Sequence, residues 1–63
     1  MTLPIAKSIK AKDVRRWDIV YVLEEYRGIQ RVSRCENGIE LELSNEQILV
    51  LDPKSKLLKL FFL

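Results

Sequence analysis

The sequence predicts a mainly-β protein: a small barrel or barrel-like antiparallel sheet of four to six short strands, with one short helical turn near the N-terminus. Three observations lead there. Ile39-Glu40-Leu41-Glu42-Leu43 alternates apolar and charged residues without error, the period of a half-buried strand. Asn37-Gly38 stands just before it, a strong short hairpin signal. Two further runs of strand length, Asp18 to Glu24 and Gln47 to Leu51, are rich in β-branched and aliphatic residues. Only 63 residues are present, so a sheet this small covers its apolar face by curling or by pairing with a second copy.

The elements follow in order. Leu3 to Lys10 reads as a strand with Ile5 and Ile9 inward, and Ala11 to Arg16 as one helical turn leading into Trp17-Asp18. The run Asp18 to Glu24 is apolar on both faces, which predicts a central strand with Tyr21 in the core. Arg27-Gly28 is the expected turn out of it, and the next strand is expected over Gly28 to Glu36. Its alternation is imperfect: Arg27 and Arg31 share a parity, and Arg34 points the other way unless a bulge intervenes. Ser44-Asn45-Glu46-Gln47 matches a capping box, but too few residues precede Asp52-Pro53 for a stable helix, so a turn into a strand is expected. The tail after Asp52-Pro53 reads as a last strand or as a helix with Pro at its first position, the strand being favoured. No repeat or low-complexity stretch divides the chain. Residues 1–63 form one small domain: a basic segment over 1–16, a hairpin core over 18–51 and an apolar segment over 53–63.

Composition narrows function by exclusion. The chain has no His and one Cys, so general acid–base work at neutral pH and a Cys/His metal cage have no residues to run on. Two Gly, separated by nine residues, make no phosphate loop. Glu24 and Glu25 are adjacent, and strand neighbours face opposite sides, so they form no catalytic dyad. Neither an enzyme nor a cofactor or metal site is expected. The 48% apolar and 32% charged composition is that of a globular chain. No apolar run approaches a membrane span, no secretory leader is expected, and the lone Cys35 fits a reducing cytoplasm as an inert side chain.

The net charge of +2 conceals a segregation. Residues 1–16 carry +4, residues 17–34 balance, residues 35–52 carry −5 and residues 53–63 carry +3. One consequence is cross-strand pairing of arginines with the glutamates of the acidic segment. The other is a basic face for an anion, RNA or DNA, carried by Lys7, Lys10, Lys12, Arg15, Arg16 and Trp17, with Arg27 and Arg31 in support. Trp17 follows two arginines, and its ring either stacks on a base or fills the core. Tyr26 is the tyrosine expected to be exposed. Leu57, Leu58, Leu60, Phe61, Phe62 and Leu63 crowd the last seven positions and are expected to complete the core or to form an interface. That segment supports self-association, most simply as a dimer, or a protein–protein role as an accessory subunit or host-factor inhibitor.

The stretch Ile9-Lys10-Ala11-Lys12-Asp13-Val14-Arg15-Arg16-Trp17-Asp18-Ile19-Val20 resembles a pattern of SH3-like small β-barrel modules in translation and transcription factors. In them a segment of the form D-hydrophobic-R-x-G-D-x-V opens the first barrel strand. Asp13, Val14, Arg15, Asp18 and Val20 fit it, and Trp17 stands at the glycine. The resemblance extends as an order of strands over about residues 9–51 and implies a barrel-like sheet. A second stretch, Gly38 to Pro53, resembles the C-terminal hairpin of swapped-hairpin dimeric DNA-binding proteins of the antitoxin and transition-state-regulator type. Those proteins place a short helix before that hairpin, and there is no room for one between Arg34 and Ile39.

Overall fold

The computed structural model describes residues 3–62. They form one six-stranded antiparallel sheet: β1 (Pro4–Lys10), β2 (Ile19–Val22), β3 (Glu25–Cys35), β4 (Gly38–Leu43), β5 (Ile48–Leu51) and β6 (Lys56–Phe62). A single 3-10 turn, Ala11–Asp13, follows β1. The spatial order is β1-β6-β2-β3-β4-β5, so the last strand returns to lie between the first two. The tail is thus a strand. Instead of capping a helix, the Asp52 carboxylate accepts the Lys54 N–H (2.8 Å) and its carbonyl accepts the Ser55 N–H (2.9 Å), which turns the chain into β6.

One core serves the whole sheet. Ala11, Val14, Val20, Val22, Ile29, Ile39, Leu41 and Leu43 are buried, and Ile9 of β1 and Leu49 and Leu51 of β5 pack against them. β1 and β5 are the two edges of the sheet, so their meeting on one core requires the sheet to coil. The Ala11 N–H donates to the Ser55 carbonyl (2.7 Å) and the Lys12 N–H to that of Pro53 (3.1 Å), which ties the 3-10 turn to the β5–β6 connection. The perfect alternation of β4 does what it predicts: Ile39, Leu41 and Leu43 are buried while Glu40 and Glu42 lie on the other face.

Four expectations need correction. The turn out of β2 is Leu23-Glu24, and Arg27-Gly28 lies inside β3, paired with Val20 and Ile19. Leu23 and Glu24 both hold positive φ (53° and 67°), the geometry of a type I′ turn made without its usual Asn and Gly. Tyr21 is not core: it stands 42% exposed on the outer face, edge-on to Tyr26 at 5.0 Å between ring centres. The β3–β4 hairpin forms, but its two loop residues are Glu36 and Asn37, one position earlier than a type I′ turn at Asn37-Gly38. Gly38 instead opens β4 at φ 147°, where a Cβ would lie 2.4 Å from the Leu51 carbonyl oxygen. Finally, Ile5 is 40% exposed, because β1 and β6 run past β2 as a two-stranded ribbon.

The β4–β5 loop is a turn and not a helix start. The Glu46 N–H donates to the Leu43 carbonyl (3.0 Å), and Glu46 takes positive φ (69°). This hairpin closes within one chain and packs on that chain's own core.

Candidate nucleic-acid interface

The site is built where β2 stops. β2 pairs with β3 only as far as Gly28, so from residue 30 onward β3 has a strand neighbour on one side alone, β4. The segment from Val14 to Asp18 lies along the other side. Val14 is buried and anchors it. The Trp17 N–H donates to the Ile29 carbonyl (2.8 Å) and the Ile29 N–H to that of Asp18 (2.8 Å), which fixes the segment to β3 at one point.

Between those attachments the chain makes a tight turn. The Asp18 N–H donates to the Arg15 carbonyl (3.1 Å) and the Asp18 carboxylate accepts the Arg15 N–H (2.8 Å). Trp17 occupies the third position of this turn with φ 76°, a left-handed conformation that a type II turn reserves for Gly or Asn. A large ring thus stands at a backbone position that favours Gly. Trp17 is 72% exposed, so the expectation that it fills the core does not hold. The Arg16 guanidinium lies over the Trp17 ring, 4.4 Å from the ring centre.

A β-bulge between Ile29 and Arg31 then reverses the alternation of β3. Ile29 faces the core opposite Leu43, Arg31 faces outward opposite Glu42, and Val32 and Arg34 fall opposite Leu41 and Ile39. The result is an open groove of about 680 Å³ lined by Val14, Arg15 and Arg16 on one wall, Gln30, Arg31, Val32 and Arg34 on the other, and Glu42. Beside it is a smaller recess of about 250 Å³, lined by Arg16, Trp17, Gly28, Ile29, Gln30 and Ser44. The two hollows share Arg16 and Gln30.

The lining of the groove is one-sided in charge: it contains four arginines and one glutamate. The Arg31–Glu42 pair is loose at 3.6 Å, with Arg31 largely exposed, so it contributes at most about 1 kcal/mol and leaves the arginine available. Arg34 donates to the Lys12 carbonyl (3.1 Å), which uses one of its five N–H groups.

The eight residues expected to carry a basic face divide evenly. Arg15, Arg16, Trp17 and Arg31 line the groove or the recess. Lys7, Lys10, Lys12 and Arg27 line neither. Lys7 and Lys10 sit on the β1–β6 ribbon opposite Lys59 and Lys56, with Lys7 over the Phe61 ring at 5.9 Å. Lys12 contributes its backbone. Arg27 is turned toward the core side opposite Val20 and paired with Glu25, and its Nε is buried without a partner. Arg34, which the sequence places with Arg27 and Arg31 in a row of arginines suited to a phosphate backbone or to pairing with Glu40, Glu42 and Glu46, and Gln30, which no sequence signal marks, complete the lining.

Of the apolar C-terminal residues, Leu57 packs against the core. Leu58 and Phe62 are exposed, Leu60 and Phe61 are half-buried, and Leu63 lies outside the described residues. Among the described residues no cluster of His, Cys, Asp and Glu is placed to hold a metal ion, and no helix is long and apolar enough to cross a membrane.

Fold and site together define a small, coiled antiparallel β-sheet with an arginine-lined groove beside an exposed Trp. The chain matches no family model, no curated protein and no solved structure.

Proposed function

We propose that this chain is a small SH3-like, non-enzymatic module that binds nucleic acid in the groove between residues 14–17 and β3. The observation that carries the reading is the convergence of Arg15, Arg16, Arg31 and Arg34 with an exposed Trp17. Arginines neutralise phosphates and release their counterions, and an exposed aromatic ring offers a stacking surface. The SH3-like part of the reading is supported by the order β6-β2-β3-β4-β5, in which short turns join four strands and the last strand returns beside the first. β1 is then an addition at the edge. The test is a titration of end-labelled RNA and DNA oligonucleotides, single- and double-stranded, at low salt. Binding that weakens steeply as salt rises supports the reading; no binding to any of them refutes it.

A second reading is favoured by a separate feature. Beyond Lys59, β6 pairs with β1 alone, and this ribbon is apolar on both faces, with Ile5 40% and Phe62 62% exposed and the preceding Leu3 71% exposed. A two-stranded ribbon is marginal in water by itself. The β6 edge that β2 leaves free runs antiparallel to its own twofold copy, so a second copy of the chain is the occupant this edge fits. Sedimentation equilibrium tests it: a dimer that Phe62→Lys disperses supports the reading, and a monomer at every concentration excludes it.

A further inference from the structure

Resting on the nucleic-acid reading, we infer that the groove takes a single strand, with one unstacked base lying against Trp17 over the recess at Gly28 and Ile29 and the flanking phosphates held by the arginines. Inside a duplex the bases are paired and stacked, so their faces are closed to a side chain unless a base is extruded. A ring that stands out on a fixed backbone meets a base face only where the strand is single. Trp17 is such a ring. Its backbone is hydrogen-bonded to Ile29, and its φ of 76° is held by the turn around it. A strained left-handed position at a bulky residue is a cost that a Gly would not carry, and the gain from it is the outward aim of the ring. The Arg16 guanidinium lies over the ring at 4.4 Å, adding a cation beside the place where the base would lie.

The recess supplies what a base needs next to that ring. Gly28 lines the recess without a side chain, Ile29 turns its own side chain into the core behind it, and Gln30 and Ser44 are the polar residues of the lining. Gln30 belongs to both hollows. Its carboxamide carries a donor and an acceptor, the equipment for reading a base edge. Arg16 also belongs to both, so a strand leaving the recess enters the arginine groove directly. Arg15, Arg31 and Arg34 then follow its phosphates.

Trp17 is the only Trp in the chain, so its emission reports this ring alone. The intact protein is titrated with a ten-nucleotide single strand, with a hairpin duplex of the same length, and with inorganic polyphosphate, following tryptophan fluorescence and labelled-ligand anisotropy together. The single strand is expected to quench Trp17 and to bind about 10-fold or more tighter than the duplex, the gain of one stacked base. Polyphosphate is expected to bind through the arginines without quenching. Equal affinity for duplex and single strand, or single-strand binding that leaves the emission unchanged, overturns the inference while the nucleic-acid reading stands. No binding of either oligonucleotide overturns both.

Discussion

Trp17→Gly separates the fold from the site. The substitution relieves a left-handed residue, worth about 1–2 kcal/mol in favour of folding. It adds backbone freedom to the unfolded chain, which costs about 0.5–1 kcal/mol. It also removes the small buried part of the ring. Trp17 is 72% exposed, so its burial is a little over a quarter of a side chain of about 250 Å², about 70 Å², or about 1.7 kcal/mol. The three effects sum to a net destabilisation of about 0.2–1.7 kcal/mol. Urea unfolding followed by circular dichroism should therefore give a cooperative transition with a midpoint modestly below that of the parent. The same variant should bind single-stranded nucleic acid about 10-fold or more weakly, because the stacking surface is gone. Trp17→Phe keeps a ring and should retain most of the affinity. A Trp17→Gly protein that unfolds outright would show that the ring is structural. One that binds as well as the parent would remove Trp17 from the site.

Other substitutions test the frame that holds the groove. Leu23→Asn with Glu24→Gly installs the residues a type I′ turn prefers at two positive-φ positions and should stabilise the chain by about 1 kcal/mol, raising its melting temperature by about 4–8 °C. Asp18→Ala removes the acceptor of the Arg15 N–H and the partner of Lys59 (3.1 Å, both side chains mostly buried), and should cost about 2–3 kcal/mol in urea unfolding. Asp18→Asn keeps the turn and should fall between. Gly38→Ala forces a Cβ onto the Leu51 carbonyl and should cost about 3 kcal/mol, read as a loss of the cooperative thermal transition near room temperature.

The sheet was legible in the sequence wherever side-chain period decided structure. β4 carries error-free alternation, and β5 and β6 are apolar runs bounded by Asp52-Pro53. The turns were less legible, because tertiary pairing imposed positive φ on Leu23, Glu24 and Glu46, residues that announce no turn. Asn37-Gly38 announced one correctly but misplaced it by a residue, since Gly38 is needed for close approach to β5. The site was half legible. The run Arg15-Arg16-Trp17 named one wall. The other wall depends on the bulge at Gln30, which decides which way Arg31 and Arg34 point and leaves no mark in composition. Charge alone did not separate Lys7 and Lys10, which share the basic N-terminal segment and sit on the ribbon, from the arginines that line the groove.

The account rests on the groove as the place where phosphates are held, and the salt dependence of binding measures that directly. Four arginines on a single strand predict a slope of log K against log salt of about −3. Arg15→Gln with Arg31→Gln should reduce it by about half, and Lys7→Gln with Lys10→Gln should leave it unchanged. A slope that falls with the ribbon lysines and ignores the groove arginines would contradict the account.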